Sequence, residues 1–113
     1  MIVYIASPYT EGDHMENVCR QIYAADEIRA AGHLPYAPLL SHFWHVLIPH
    51  EYEYWTALGL EWVRKADVLV RLPGNSAGAD AEVAEAQRLG IPVYFGVGAL
   101  PAPGAIRVGG GAA

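Results

Sequence analysis

The chain has 113 residues, of which 53% are hydrophobic and 17% charged, and this composition predicts one globular domain with a packed core. Its net charge of −5 and its seven scattered Lys and Arg residues argue against a nucleic-acid partner, because binding to phosphates needs clustered positive charge. The single cysteine, Cys19, allows no internal disulfide, and no segment resembles a membrane span or a signal peptide, so we expect a cytoplasmic protein with no membrane partner.

The first half of the chain predicts a strand, a helix and a second, short strand. Residues 2–6 are apolar and β-branched, which is typical of the first strand of an α/β domain. Asp13 is placed to cap a helix that extends to about Ala31, and Gly32 is placed to end it. Prolines within residues 33–38 favour an edge strand, because proline cannot donate a ladder hydrogen bond. The helix is expected to bury one face, formed by Val18, Ile22, Ala25 and Ile28.

The second half predicts two more helix and strand pairs after a long connection. Residues 39–49 are rich in aromatic residues and histidine and are interpreted as this connection. A helix is expected from about 50 to 65, a buried strand at 67–72, a helix at about 78–89 and a last strand at 91–95. The second of the three helices repeats apolar residues on one face, at Trp55, Leu58 and Trp62.

Strands that alternate with helices predict an α/β fold, a flavodoxin-like (Rossmann-like) parallel sheet of four to five strands with helices on both faces. The expected strand order is 2-1-3-4, and residues 105–108 are a candidate fifth strand. In this order the loops at 6–12 and 73–78 meet at the switch point of the sheet, where such folds bind ligands. The domain is expected to comprise residues 1–100, and the Gly-, Pro- and Ala-rich residues 101–113 are expected to form a flexible tail.

A turn of small residues between the third strand and the third helix is the strongest indication of a ligand site. It extends from Leu72 to Glu82 and places backbone N–H groups and a helix N-terminus at one edge of the sheet. Ser76 is placed to cap the helix, and Asn75 precedes it in the turn. Because Glu82 lies near the start of this helix, we expect a small-molecule site that contains a nucleophile or a base.

Several short motifs together resemble the nucleoside 2-deoxyribosyltransferase superfamily. They are Tyr4-Ile5-Ala6-Ser7-Pro8-Tyr9-Thr10 at the start, then Leu72-Pro73-Gly74, Ser76, Gly78-Ala79, Glu82 and Gly90-Ile91-Pro92-Val93. The resemblance covers residues 2 to about 96 and is strongest to the short bacterial and phage branch. The superfamily also includes 2′-deoxynucleoside 5′-phosphate N-hydrolases, so the motifs indicate the superfamily rather than one substrate.

The resemblance implies an enzyme that breaks the N-glycosidic bond of a nucleoside or nucleotide, by deoxyribosyl transfer or by hydrolysis. Glu82 matches the glutamate that attacks C1′ of the sugar and displaces the base, and Tyr4 matches a tyrosine that orients it. No cofactor is expected. The substrate-binding residues that the resemblance implies lie in the two loops: Ser7, Pro8, Ser76 and Gly78.

Three further residues are candidates for substrate contact. Asn75 lies in the turn, and Asp80 is either a ligand of a sugar hydroxyl or a residue that stabilises the first helical turn. His42 lies in the aromatic connection, which is interpreted as a segment over the pocket that stacks on a base or, alternatively, as loop packing or a subunit contact. The spacing of His42, His45 and His50 matches no zinc signature, so no metal is expected.

One position departs from the pattern of the superfamily. Many members carry an aspartate four residues after the tryptophan equivalent to Trp55, and this chain has Gly59 there. The alternative to an enzyme is therefore a nucleoside- or nucleotide-binding module with little or no turnover. In both cases the exposed aromatic residues predict a homodimer or a larger homo-oligomer that packs through the second helix, with Trp55 and Trp62 in the interface.

Overall fold

A four-stranded parallel sheet forms the centre of the structure, a computed structural model that describes residues 1–106. The strands are β1 (Ile2–Ala6), β2 (Leu34–Tyr36), β3 (Val68–Arg71) and β4 (Val93–Phe95), and their order in the sheet is β2-β1-β3-β4. β1 pairs with both β2 and β3, and β3 pairs with β4, all in parallel. The predicted fold class and strand order are confirmed, and β2 is an edge strand, as its prolines indicated.

Four α-helices connect and flank the strands: α1 (His14–Ala30), α2 (Ser41–Leu47), α3 (Tyr52–Lys65) and α4 (Ala77–Arg88). Helix α2 was not expected, because its residues were interpreted as part of a connection. It follows a 3-10 turn at Pro38–Leu40, has seven residues and lacks a side-chain cap at its N-terminus. A helix of seven residues shows little helical periodicity in its sequence, so its aromatic residues were interpreted as part of a loop. Within residues 1–106, no helix is long and apolar enough to cross a membrane.

The core has two halves, one on each face of the sheet. Alternate residues of β1 point to opposite faces, so Val3 and Ile5 pack with α1, whereas Tyr4 and Ala6 pack with α3 and α4. The same alternation divides β3. The α1 half is completed by Ala24, Ile28, Val68 and Val70, and the other half by Val63, Leu69, Ala79 and Ala86.

The buried face of α1 differs from the predicted one, because it includes two polar residues in place of an apolar one. Ile22 is 39% exposed, whereas Asn17 and Gln21 are buried, with Gln21 fully inaccessible. Both amide side chains form hydrogen bonds with the loop after β1, and these bonds balance the cost of their burial. The pattern of apolar residues alone could not show this, because the bonding partners come from a different part of the chain.

Residues 101–106, the first part of the segment expected to be a flexible tail, pack against the domain. Nε2 of His33 donates a hydrogen bond to the carbonyl oxygen of Pro101 at 2.9 Å, and Ile106 is buried in the α1 half of the core. Pro103–Ala105 form a 3-10 turn rather than the start of a fifth strand. The rest of that candidate strand, residues 107–108, lies outside the described residues.

Candidate active site

The loops after β1 and β3 meet at the switch point of the sheet, as the strand order requires. Gly74 has a φ of +117°, and a Cβ atom there would lie 2.8 Å from Cγ of Pro8. Glycine is therefore needed at position 74 for its backbone conformation and for the close approach of the two loops. The ring of Pro8 acts as a spacer between the loops.

Helix α1 fixes the first loop through its two buried amides. Nε2 of Gln21 donates to the Ser7 hydroxyl oxygen at 2.7 Å and to the carbonyl oxygen of Ile5 at 3.1 Å. Nδ2 of Asn17 donates to the carbonyl oxygen of Tyr9 at 3.0 Å. Because these bonds start from a packed helix, Ser7 and Tyr9 have defined positions where the chain leaves the sheet.

The second loop is held by a cap and by a buried arginine. The Ser76 hydroxyl oxygen accepts a hydrogen bond from the N–H of Ala79 at 3.0 Å, which confirms the predicted cap of α4. The guanidinium of Arg71 donates to the carbonyl oxygen of Gly74 and to the carboxylate of Asp80, both at 2.9 Å. The exposed side chain of Asp80 therefore stabilises the turn before α4 through its hydrogen bond with Arg71.

A cavity of about 620 Å³ lies between these loops, α2, α3 and the start of α4. It has the size of a small-molecule site. Among its lining residues within 1–106 there is no lysine or arginine, and Glu82 is the one carboxylate. A more open groove of about 670 Å³ follows the outer side of α1, but neither Tyr4 nor Glu82 lines it. We therefore take the first cavity as the candidate active site.

Glu82 forms a hydrogen bond with Tyr4 at the base of this cavity, where the Tyr4 hydroxyl donates to Oε2 of the carboxylate. Burial raises the pKa of Glu82 to about 7, although the hydrogen bond from Tyr4 and the charge of Arg71 both act to lower it. Burial, and then the neighbouring charge of Glu82, raise the pKa of Tyr4 well above its usual value. Tyr4 therefore keeps its proton and remains a donor to the carboxylate.

Glu85, one helical turn after Glu82, shows how strongly the environment separates the two carboxylates. Hydrogen bonds from Arg88 and Arg64 lower the pKa of Glu85 to about 2. Glu82 has one hydrogen bond and lies in the cavity, whereas Glu85 has three from two cations. A carboxylate with a strongly raised pKa in a cavity is a candidate for catalysis, and an ion-paired surface carboxylate is not.

Gly59 brings the backbone of α3 directly against this pair. A Cβ atom at position 59 would lie 2.6 Å from Oε2 of Glu82 and 3.1 Å from the Tyr4 hydroxyl oxygen. The carboxylate of Glu82 therefore occupies the space that any side chain at position 59 would need. Oε2 is held between Tyr4 and Gly59, and the one side-chain hydrogen bond of Glu82 within residues 1–106 is made by Oε2, not by Oε1.

Aromatic rings form a wall of the cavity beside Tyr4. Tyr36 stacks on Tyr4 with a centroid separation of 5.8 Å and on Trp62 with a separation of 4.7 Å. Trp62 and Trp55 both line the cavity, and neither belongs to the two core clusters. Aromatic faces at this position can stack on a planar ligand.

Two half-buried histidines of α2 also line the cavity, and each has a defined partner. Nδ1 of His42 lies 2.5 Å from the hydroxyl oxygen of Tyr9, whose ring also stacks on His14. Nδ1 of His45 accepts hydrogen bonds from Nε1 of Trp55 at 2.8 Å and from the backbone N–H of His50 at 3.2 Å. Within residues 1–106, no group of three or more His, Cys, Asp or Glu side chains could hold a metal ion.

The structure brings together most of the residues that the sequence singled out. Tyr4, Ser7, His42, Ser76, Gly78 and Glu82 line the cavity, whereas Pro8, Asn75 and Asp80 do not. The other lining residues were not site candidates, among them Tyr9, His14, Gln21 and Tyr36. A polar glutamine on the inward face of a helix was the available signal for Gln21, but no local pattern marked the other three.

Comparison with known proteins gives a family and a shared fold. The model of a family described as a domain of unknown function, DUF7768, matches residues 1–96. No curated protein matches the chain. Among solved structures, the chain is similar to a 2-deoxyribosyltransferase from Bacillus psychrosaccharolyticus, with a TM-score of 0.62 and 22% sequence identity over 84% of this chain and 71% of that one. At this identity the similarity establishes the fold.

Proposed function

We propose that this chain, which belongs to the DUF7768 family of domains of unknown function, cleaves the N-glycosidic bond of nucleosides through Glu82. The observation that carries the proposal is the Tyr4–Glu82 hydrogen bond at the base of a cavity with no other carboxylate among its described lining residues. The similar solved structure is a 2-deoxyribosyltransferase, which supports the same class of reaction. The proposal includes membership of the nucleoside 2-deoxyribosyltransferase superfamily, in its short bacterial and phage branch.

In the proposed reaction, the ionised carboxylate of Glu82 attacks C1′ through Oε1, the oxygen that does not bond to Tyr4. The bond from C1′ to the base nitrogen breaks, its electron pair leaves with the base, and a glycosyl ester forms on Glu82. Water or a second base then attacks C1′ and releases the carboxylate, which gives hydrolysis or transfer. Tyr4 holds Oε2, so the carboxylate keeps its orientation through both steps.

The charge of the cavity favours a substrate with an uncharged 5′ end. Binding of a phosphate favours a positively charged partner, and the described lining residues include neither lysine nor arginine. Arg71 is close in sequence, but its guanidinium is bound to Gly74 and Asp80. The hydroxyls of Ser7 and Ser76 line the cavity and can bind a 5′ hydroxyl, and the rings of Tyr36 and Trp62 can stack on the base.

A binding module without turnover is the second candidate, and Gly59 favours it. With this residue at the contact point, no second carboxylate lines the cavity within residues 1–106 to assist the reaction. The raised pKa of Glu82, about 7, also leaves much of it protonated at neutral pH, which weakens it as a nucleophile.

Release of free base from a mixed panel of nucleosides and nucleotides, measured by chromatography, tests the proposal. We expect release from nucleosides, a loss of at least ~1,000-fold in Glu82→Gln and activity near that of the parent in Glu85→Gln. The Glu85 variant is the matched control, because it makes the same chemical change one helical turn away. Equal rates for Glu82→Gln and the parent would refute the mechanism.

Calorimetry with the same panel separates the two candidate functions. Binding of a nucleoside without release of base over a long incubation supports the binding module. Preference for a nucleotide over its nucleoside would contradict the inference drawn from the lack of lysine and arginine among the described lining residues.

A further inference from the structure

A leaving base needs a proton as its bond to C1′ breaks, and few described groups in the cavity can give one. Glu82 is the one carboxylate there and acts as the nucleophile in the proposed function. The Tyr4 hydroxyl donates to Glu82, and its raised pKa makes it a poor acid. Lysine and arginine are absent from the described lining. Histidine side chains, which exchange protons near neutral pH, are therefore the remaining source.

Four histidines line the cavity. The half-buried pair on α2, His42 and His45, have side-chain hydrogen bonds that fix their rings, whereas the exposed His14 and His50 have none among residues 1–106.

His45 is held as a hydrogen-bond donor in a single tautomer. The indole N–H of Trp55 and the backbone N–H of His50 can only donate, and both point to Nδ1 of His45. Nδ1 must therefore be the acceptor, and the ring proton lies on Nε2. This arrangement suits a fixed donor to an acceptor atom of the ligand. It does not suit a group that has to gain and lose a proton, because a proton on Nδ1 would break both bonds.

His42 has a partner that tolerates both protonation states. A hydroxyl can donate or accept, so Tyr9 can donate to an unprotonated Nδ1 of His42 or accept from a protonated one. Tyr9 itself is fixed, because its carbonyl oxygen accepts from Asn17 and its ring stacks on His14 at 4.6 Å. The ring of His42 can therefore lose a proton at Nε2 without losing its position.

We propose that His42, held by Tyr9, is the general acid that protonates the leaving base. The inference rests on the proposed function and names a second catalytic residue for it. As the bond from C1′ to the base nitrogen breaks, its electron pair takes the Nε2 proton of the His42 imidazolium. The ring is left neutral, with its remaining proton on Nδ1 shared with Tyr9. In the second step, Nε2 takes the proton of the water or second base that attacks C1′, which restores the imidazolium.

His42 and Glu82 are carried by different elements around the cavity, as displacement at C1′ requires of an acid and a nucleophile. Attack in line with the breaking bond puts the base on the side of C1′ away from Glu82. Glu82 lies against β1 and α3, whereas His42 belongs to α2, a separate wall of the same cavity. His42 has no hydrogen bond with Tyr4 or Glu82 within residues 1–106, so the acid and the nucleophile act from separate positions.

The test compares two leaving groups in His42→Gln and His45→Gln. The substrates are the nucleoside that the parent protein cleaves fastest and a 4-nitrophenyl glycoside of the same sugar, whose phenolate leaves without a proton. We expect His42→Gln to lose at least ~100-fold on the nucleoside and less than ~5-fold on the glycoside. His45→Gln should lose activity on both substrates by a similar factor, because it disturbs the cavity wall by removing the acceptor of Trp55 and His50 and does not remove the acid. Thermal unfolding should show that both variants are folded.

An unchanged rate of His42→Gln on the nucleoside, or an equal loss on both substrates, would overturn the proposal. A second measurement uses His42→Ala and added imidazole, which should restore at least ~10-fold of the lost nucleoside activity and none in His45→Ala. Absence of this rescue would also overturn it. If the parent protein releases no base from any nucleoside, the proposed function itself is wrong, which is a different result from a failure of His42 alone.

Discussion

Substitution of Gly59 by alanine gives the sharpest test of the site, because one methyl group would enter the space of the Glu82 carboxylate, the proposed nucleophile. Its Cβ atom would lie 2.6 Å from Oε2 of Glu82 and 3.1 Å from the Tyr4 hydroxyl oxygen. A comfortable contact needs the carboxylate or the helix to move by about 0.8 Å. Either movement lengthens the hydrogen bond from Tyr4, which fixes the orientation of Glu82.

The expected magnitudes follow from this displacement. A misplacement of ~1 Å can cost about 100-fold in rate, so we expect kcat/KM of Gly59→Ala to fall by about that factor. An added methyl group in a tight site costs about 1–3 kcal/mol, and alanine in a helix recovers about 1 kcal/mol relative to glycine. The free energy of unfolding should therefore fall by no more than about 2 kcal/mol, and the protein should stay folded.

Base release and urea unfolding measure the two effects, with Gly98→Ala as the matched control. Gly98 is exposed, and a Cβ atom there meets nothing within 4 Å, so the control should leave base release unchanged and should not lower the free energy of unfolding. A cycle with Glu82→Ala isolates the cause: once the carboxylate is gone, Gly59→Ala should become stabilising by about 1 kcal/mol. Full activity in Gly59→Ala, or the same destabilisation in both backgrounds, would refute the contact as described.

Three further outcomes follow from the same structure. Because Glu82 must be ionised to attack in the proposed reaction and burial raises its pKa to about 7, the acid side of the kcat/KM profile should rise through about pH 7. A profile that stays flat down to pH 5 would contradict this. That pKa lies above the ordinary value of 4.5, so ionisation of Glu82 lowers the stability of the folded state as the pH rises from 4.5 to 7. Chemical denaturation should therefore show Glu82→Gln to be more stable than the parent by up to about 3 kcal/mol at pH 8. At pH 4.5 the two proteins should be equally stable. The side chains of Val46, Leu47 and Ile48 are apolar and exposed, which supports the predicted homo-oligomer. Light scattering should therefore give at least a dimer, and Leu47→Glu should weaken it. A monomeric parent protein would refute this prediction.

The fold could be predicted because its signals are local. Ser76 caps α4 through its own hydroxyl, and Gly32, with a φ of +95°, ends α1 in a conformation that other residues rarely adopt. Alternation of such helices with apolar strands then leaves few arrangements, and the observed order is the expected one. The turn before Glu82 was located by the same local reasoning.

The walls of the cavity could not be predicted, because contacts between distant residues create them. Gln21 is buried because Ser7 and Ile5 accept its hydrogen bonds, and no pattern within α1 encodes those partners. Tyr36 reaches the site from the edge strand β2, and Trp62 meets it from α3. Sequence periodicity identifies which face of an element is apolar, but it does not say which faces enclose an empty volume.

The pKa values of Glu82 and Glu85 likewise depend on contacts that the sequence pattern does not show. Both are glutamates of α4, one turn apart, and their intrinsic propensities and helix positions are nearly the same. The raised pKa of Glu82 comes from burial against Gly59 and Tyr4, and the lowered pKa of Glu85 comes from its two arginines. Burial of the Glu82 carboxylate lowers the stability of the folded state when the carboxylate is ionised. The ion pairs of Glu85 avoid this cost. A carboxylate with this cost, at the base of a cavity sized for a small molecule, is a candidate functional group, and for this reason we propose Glu82 rather than Glu85 as the reacting residue.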